Sequence, residues 1–189
     1  MQIATIKQAV NNAPYCGDEC GYWEKGTKTV ICIIDGLGHG KDAEIAAQAA
    51  VKYIADHQSE SSQAIFAGCD RELRKTRGAA VGIAVIDGDK GELTYAGIGN
   101  TRVIVVNSET FHLGSDYGII GGGYKKLTPE TISIGKGALV IMFTDGVEEV
   151  IDLSRYDLIA VDVHELAEMI IKDWRVERDD AAVLVYKRM

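Results

Sequence analysis

The chain contains an uninterrupted apolar segment, Thr29-Val30-Ile31-Cys32-Ile33-Ile34, which runs directly into Asp35-Gly36. Because β-branched residues dominate the segment and no polar residue alternates with them, the pattern predicts a strand that is buried on both faces. Glycine permits a sharp change of backbone direction, so the strand is expected to end there. The segment therefore predicts a carboxylate, that of Asp35, held at the rim of a buried sheet.

Apolar periodicity predicts three helices and several further strands around this segment. Helical spacing is found at residues 43–54, near 62–75, and at 161–173. Strand patterns are found at residues 79–86, 92–98, 102–106, 138–143 and 181–186. The first two of these strands flank a turn at residues 87–91, the third is expected to continue their meander, and the glycine-rich residues 114–123 are expected to form a loop.

The order of these elements predicts the fold class. Strands come in runs with helices grouped between them, which favours an α+β sandwich of two stacked sheets covered by helices over a doubly wound parallel sheet. The 189 residues show no linker, internal repeat or break in composition. We therefore expect a single domain over residues 1–189.

Composition and charge exclude some classes of function. Twenty Lys and Arg against 28 Asp and Glu give a formal net charge of −8, which disfavours binding to a nucleic-acid backbone. No apolar run approaches the roughly 20 residues of a membrane-spanning helix, and the N-terminus lacks the pattern of a secretion signal. These observations predict a cytoplasmic protein without a membrane partner.

The four cysteines predict neither a zinc site nor a disulfide framework. Cys16 and Cys20 are close in sequence, but no second close pair completes a set of zinc ligands. Cys32 lies within the apolar strand and is expected to belong to the core, as free cysteines often do. All four are expected to be reduced.

A second segment, residues 142–147, repeats the design of an apolar strand that runs into Asp-Gly, here Asp145-Gly146. If the two strands are neighbours, their carboxylates lie close together and need a cation between them. Mg²⁺ and Mn²⁺ prefer such oxygen ligands. Asp18, which precedes the first long predicted strand, and Asp179-Asp180, which lie directly before the last one, are further candidates. The alternative is that Asp-Gly only forms turns, which is the expected role of Asp87-Gly88.

Several motifs together resemble those of a known family. They are Asp35-Gly36-Leu37-Gly38-His39-Gly40, Arg77-Gly78-Ala79-Ala80-Val81, Gly97-Ile98-Gly99-Asn100-Thr101-Arg102, Thr144-Asp145-Gly146 and Asp179-Asp180-Ala181-Ala182-Val183. In type and in order they are similar to the motifs of bacterial PPM phosphatases, which belong to the protein phosphatase 2C superfamily. Within that superfamily, the resemblance is to the SpoIIE/RsbU/RsbX branch. The short length is most similar to the RsbX-like members. The resemblance extends from Asp18 to Val185, nearly the whole chain.

The resemblance implies a four-layer αββα sandwich and a metal-dependent protein serine/threonine phosphatase. Asp35 would bridge two Mn²⁺ or Mg²⁺ ions and position the attacking water, Asp18 and the Gly36 carbonyl would bind the second ion, and Asp145 and Asp179 would bind the first. Asp180 is a further possible ligand. The implied substrates are phosphorylated stressosome proteins with STAS domains.

Some residues depart from the family pattern. No arginine precedes Asp18 to hold phosphate, Lys7 being the only cation in that stretch, and Asn100 replaces a common aspartate. Residues 118–126 resemble a much shortened flap, which predicts an open site suited to a folded protein substrate. His39 is a candidate general acid, although a polar residue at the entry of a helix is the simpler interpretation.

Two other functions stay open at this point. A catalytically inactive PPM fold could act as a binding module in a signalling complex, and metal-dependent turnover would distinguish it from an enzyme. An enzyme acting on a small phosphate ester, such as a nucleotide, is the second alternative. Competition between phosphoprotein and small esters would identify it.

Overall fold

The computed structural model describes residues 2–189, and within them twelve strands and three helices. The strands are β1 (Gln2–Gln8), β2 (Asp18–Lys25), β3 (Lys28–Gly36), β4 (Ala79–Asp87), β5 (Glu92–Ile98), β6 (Arg102–Val106), β7 (Thr110–Leu113), β8 (Gly118–Ile119), β9 (Gly123–Tyr124), β10 (Glu130–Ser133), β11 (Leu139–Phe143) and β12 (Ala181–Lys187). The helices are α1 (Lys41–His57), α2 (Ser62–Leu73) and α3 (Val163–Trp174). Two short 3₁₀ turns lie at Val10–Asn12 and Leu153–Arg155.

Ten of the strands form two five-stranded sheets. The first sheet has the order β1-β12-β11-β6-β7 and the second the order β10-β5-β4-β3-β2, and all their pairings are antiparallel. Strands β8 and β9 form a separate hairpin. The predicted fold class, an α+β sandwich, is confirmed.

Three apolar clusters separate four layers. One lies between the two sheets, one between the second sheet and helices α1 and α2, and one between the first sheet and helix α3. The position of strand β3 between two of these clusters explains why its sequence does not alternate between apolar and polar residues. Ile31 and Ile33 face the other sheet, whereas Val30, Cys32 and Ile34 face the helices. Both faces are buried, because side chains alternate along a strand.

Two expectations about the middle of the chain are wrong. Strand β6 does not continue the meander of β4 and β5, because it pairs with β11 and β7 in the other sheet. Gly99, at a φ of 102°, lies where the chain leaves β5 and crosses between sheets. Residues 114–123 are not only a loop, because they include β8 and the first residue of β9.

Strands β1, β2, β7 and β10 have no counterpart among the strand patterns identified from the sequence. Each lies at an outer edge of its sheet, where one side of the strand is exposed and its apolar pattern is weak. Cys32 is buried in the core as expected, and all four cysteines are free thiols. Among the described residues, no helix is long and apolar enough to cross a membrane. The single domain over residues 1–189 stays a prediction.

Candidate active site

Two antiparallel strand pairs bring the predicted carboxylates to one end of the sandwich. In the second sheet, Asp18 begins β2 directly opposite Asp35 near the end of β3. In the first sheet, β11 ends beside the start of β12, so Asp145 follows one strand and Asp179 precedes the next. Asp35 and Asp145 therefore do not end neighbouring strands of one sheet. They meet because the two sheets are stacked.

Asp18 is buried, with 2% of its surface exposed, and it depends on a residue of the other sheet. The Thr144 hydroxyl donates a hydrogen bond to Asp18 Oδ2 at 2.6 Å and accepts one from the Ala182 N–H at 2.9 Å. Burial, and then the charge of Asp35, raises the pKa of Asp18 well above its ordinary value, while the Thr144 hydrogen bond opposes that rise. Thr144 thus holds the Asp18 carboxylate at the boundary between the sheets.

Asp145 lies close enough to Asp35 to influence the ionisation of the Asp35 carboxyl group. Burial, and then the charge of Asp145, raises the pKa of Asp35 to about 7, and Asp179 adds to the rise. The Asn100 side chain opposes it, and its Nδ2 donates a hydrogen bond to Asp145 Oδ2 at 2.7 Å. Asn100, which departs from the family motif, is therefore a neutral donor between two carboxylates.

The adjacent residues Asp179 and Asp180 have different surroundings. Asp179 is partly exposed. Its pKa is raised by burial and then by the charge of Asp145, and the charge of His39 opposes that rise. Asp180 is buried, and its two oxygens accept hydrogen bonds from the Val10 and Gly17 N–H groups, both at 2.7 Å. The Asp180 carboxylate thus joins the start of β12 to the segment that leads into Asp18.

Gly36 and Gly146 stand where backbones approach too closely for a side chain. A Cβ on Gly36 would overlap the Ala43 carbonyl of α1, and one on Gly146 would overlap the Asp180 carbonyl. The Gly36 N–H donates to the Gly17 carbonyl at 2.9 Å. The Asp-Gly pairs at 35–36 and 145–146 therefore fix strand ends against their neighbours, whereas Asp87 is the last residue of β4 and Gly88 begins the predicted β4–β5 turn.

Two cations near the site, Lys7 and Arg77, are already engaged in ion pairs. Lys7 forms an ion pair with Glu19 at 2.6 Å, and Arg77 forms one with Asp42 at 3.1 Å. Arg77 Nη1 also donates to the carbonyl of His39, whose side chain is exposed just before α1. This placement agrees with a polar residue at the entry of a helix, and a role of His39 as a general acid stays a prediction.

The residues present fit a divalent cation by their chemistry. Within residues 2–189, no group of three or more acidic, His or Cys side chains is already arranged to enclose a metal ion. However, Asp18, Asp35 and Asp179 each have a pKa raised by burial and then by the charge of a neighbouring carboxylate. Positive charge would relieve that repulsion, and carboxylate and hydroxyl oxygens are donors that Mg²⁺ and Mn²⁺ prefer.

The sequence does not reveal the roles of three contributors to this site. Thr144 and Asn100 are visible in it only as parts of motifs, and Asp180 only as a possible ligand. A threonine between an apolar strand and Asp-Gly was a detectable signal, because a buried hydroxyl requires a hydrogen-bond partner. The partners themselves, Asp18 and Ala182, are too distant in the chain to be read from sequence.

Comparison with known proteins identifies the family. The family described as stage II sporulation protein E (SpoIIE) matches residues 25–189. The phosphoserine phosphatase RsbX of Bacillus subtilis (strain 168) is 30% identical over 134 residues, which cover 69% of this chain and 67% of RsbX.

Solved structures show the same fold. One of them was solved in work on the bacterial stressosome, described as a modular system adapted to control secondary messenger signalling. Its TM-score to this chain is 0.92 at 27% sequence identity, and the alignment covers 97% of each chain. A crystal structure of RsbX in complex with magnesium has a TM-score of 0.85 at 24% identity, covering 97% of this chain and 92% of that one. The four-layer sandwich and the match over residues 25–189 together show that the chain belongs to the SpoIIE family of PPM-type protein phosphatases.

Proposed function

We propose that this chain is a divalent-metal-dependent phosphatase that removes phosphate from serine or threonine of a partner protein. The observation that carries the proposal is the meeting of four carboxylates, those of Asp18, Asp35, Asp145 and Asp179, at one end of the sandwich. They come from both sheets, and a fold rarely brings like charges together without a function for them.

Two Mn²⁺ or Mg²⁺ ions would be held by Asp18, Asp35, the Gly36 carbonyl, Asp145 and Asp179. Asp180 is a less suitable ligand, because each of its oxygens already accepts a backbone hydrogen bond. Bound divalent ions supply Lewis-acid activation of water and neutralise charge on the phosphoryl oxygens. Asp35 orients the attacking water at phosphorus. Thr144 and Asn100 hold the Asp18 and Asp145 carboxylates in place through their hydrogen bonds.

Two relatives support this assignment of activity and substrate. RsbX is named as a phosphoserine phosphatase, and its crystal structure contains magnesium. The structure with a TM-score of 0.92 belongs to work on the bacterial stressosome. We therefore propose that the substrate is a phosphorylated stressosome protein, with STAS-domain proteins as the first candidates, and that the chain acts in the cytoplasm.

The decisive experiment measures hydrolysis of p-nitrophenyl phosphate with Mn²⁺, with Mg²⁺ and with EDTA. We expect turnover that requires the metal and falls at least about 100-fold in Asp35→Asn, as removal of a catalytic charge typically does. Asp87→Asn is the matched control, because Asp87 also ends a strand before a glycine but pairs with Lys28, at the opposite end of β3 from Asp35. Equal loss of turnover in both variants would contradict the proposed role of Asp35.

The same assay addresses the alternatives. A folded chain without turnover in any divalent metal would be a binding module, which the intact set of four carboxylates does not favour. A nucleotide or another small ester that outcompetes a phosphorylated STAS-domain protein would indicate small-molecule activity. We expect the phosphoprotein to be preferred, because the β8–β9 hairpin is only two residues long on each side and leaves the site open.

A further inference from the structure

A cavity of about 310 Å³ adjoins the candidate active site. Asp35 and Asn100 line the side that it shares with the carboxylates, and Leu37, Tyr117 and Ile119 form its apolar side. The cavity is therefore continuous with the place where a phosphoryl group would be hydrolysed. Anything bound at Asp35 extends either into this cavity or away from it.

Two of its apolar residues are unusually exposed. Leu37 exposes 49% of its surface and Tyr117 exposes 98%. Both are large side chains whose contact with water is unfavourable unless another molecule covers them. Their common position on the rim of one cavity beside the carboxylates distinguishes them from exposed hydrophobic residues scattered singly over a surface.

The backbone holds both residues in fixed positions. The Leu37 N–H donates to the Gly78 carbonyl at 2.9 Å, and Leu37 comes two residues after Asp35. On one side of Tyr117, Asp116 exchanges backbone hydrogen bonds with Gly97 and Gly99, all at 2.9 Å. On the other side, Ile120 exchanges two with Ala79, also at 2.9 Å. The cavity is thus preformed, although its tyrosine packs against little of the chain.

The floor of the cavity leaves room for a side chain and carries little charge. Ala80, Gly99 and Gly118 contribute small side chains or none. Of the described residues that line the cavity, Asp35 is the only ionisable acid and none is a lysine or an arginine. An apolar group fits these walls, whereas a second phosphate would find no cation to pair with.

We propose that this cavity binds an aliphatic or aromatic side chain immediately beside the phosphoserine or phosphothreonine of the substrate, an inference that rests on the phosphatase function proposed above. Consecutive Cα atoms of a peptide are about 3.8 Å apart, so a side chain next to the phosphorylated residue stays within reach of the cavity that Asp35 lines together with Leu37 and Tyr117. Because successive side chains of a fully extended peptide point to opposite faces, this binding mode requires the peptide to bend at the phosphorylated residue. The phosphatase selects substrates by an apolar neighbour as well as by phosphate.

The test compares phosphopeptides that differ only in having leucine or serine immediately before or immediately after the phosphoserine. At one of the two positions, we expect leucine to raise kcat/KM about tenfold, the order of discrimination that an apolar pocket achieves. In Tyr117→Ser and in Leu37→Gln, that ratio should fall towards one. Tyr117→Ser is a suitable probe, because a side chain exposed by 98% contributes little to folding.

Tyr22→Ser is the matched control, because Tyr22 is 48% exposed on β2 and does not line the cavity. This variant should keep the native preference for leucine. The proposal is overturned if the native chain shows no preference at either position, or if the preference survives in both cavity variants. Hydrolysis of p-nitrophenyl phosphate by the native chain distinguishes this failure from failure of the phosphatase function itself.

Discussion

Asp179 and Asp180 show how strongly the surroundings of a side chain decide its role. The Asp180 carboxylate is buried and accepts two backbone N–H groups, whereas Asp179 lies beside Asp145 and is partly exposed. A carboxylate whose oxygens already accept two hydrogen bonds is suited to positioning the chain. Its neighbour is suited to binding a cation.

Substitution of these two residues should therefore have opposite consequences. Asp180→Asn replaces an acceptor with an NH₂ group that faces a backbone N–H, so we expect the free energy of unfolding to fall by about 1–3 kcal/mol without added metal. Asp179→Asn should abolish most metal-dependent turnover with little loss of stability. Urea unfolding in EDTA and phosphatase assays on both variants measure the difference. Equal destabilisation by the two substitutions would contradict this division of roles.

Thr144 is the second residue whose role can be isolated. Thr144→Val removes the donor to Asp18 Oδ2 and the acceptor for the Ala182 N–H, and we expect a loss of about 1–3 kcal/mol in the free energy of unfolding together with reduced turnover. Thr144→Ser keeps the hydroxyl and loses one methyl group, so it should cost only about 0.8 kcal/mol and keep most activity. If Thr144→Val and Thr144→Ser behave alike, the hydroxyl does not hold Asp18.

At the scale of elements, the close approach of β11 to β12 determines where Asp145 and Asp179 lie. The Gly146 carbonyl accepts a hydrogen bond from the Val176 N–H at 2.8 Å, and a Cβ on Gly146 would overlap the Asp180 carbonyl. The chain after β11 therefore lies directly against the segment that begins β12. No side chain can be inserted there without moving one strand end relative to the other.

Gly146→Ala should consequently destabilise the fold and displace the carboxylates. We expect a loss of about 3 kcal/mol, at the upper end of typical overpacking costs, and turnover reduced more than in Thr144→Ser. Gly114→Ala is the control, because a Cβ there would meet no atom within 4 Å and its φ is not in the left-handed region. Thermal unfolding compares the two. A tolerated Gly146→Ala would mean that the two strand ends can separate without cost.

At the scale of the whole molecule, two sheets that each contribute acidic residues to one end repel each other there. A divalent cation that binds only the folded chain should stabilise it by about 2.7 kcal/mol at 100 times its dissociation constant. For a chain of this size, we expect the melting temperature to rise by about 5–10 °C with Mg²⁺ or Mn²⁺ relative to EDTA. Thermal scans at constant ionic strength measure the shift.

The controls for this shift use the same two variants as the activity assay. Asp35→Asn should lose most of the shift, and in EDTA it should be at least as stable as the native chain, because it removes one of several mutually repelling charges. Asp87→Asn should keep the full shift. An equal rise produced by NaCl alone would show general screening of the net charge of −8 rather than specific binding.

Much of the fold was predictable because local patterns are strong where burial is complete. Strands β3, β4, β5, β11 and β12, which lie in the interior of the sheets, and helices α1, α2 and α3 were all expected close to their observed positions. The edge strands were not, because a strand with one exposed edge and polar residues has little apolar pattern. The crossing of β6 into the other sheet was missed, since strand periodicity contains no information about pairing partners.

The candidate site divides in the same way. The sequence by itself determined that Asp35 and Asp145 stand at strand ends, because an apolar run that stops at Asp-Gly is a local feature of the chain. Only the tertiary structure decided that Asp18 depends on Thr144, that Asp180 holds a backbone segment, and that Leu37 and Tyr117 share a cavity with Asp35. The reason is physical. These contacts join segments that are distant in sequence, so they form only when the two sheets stack and bring the ends of their strands together.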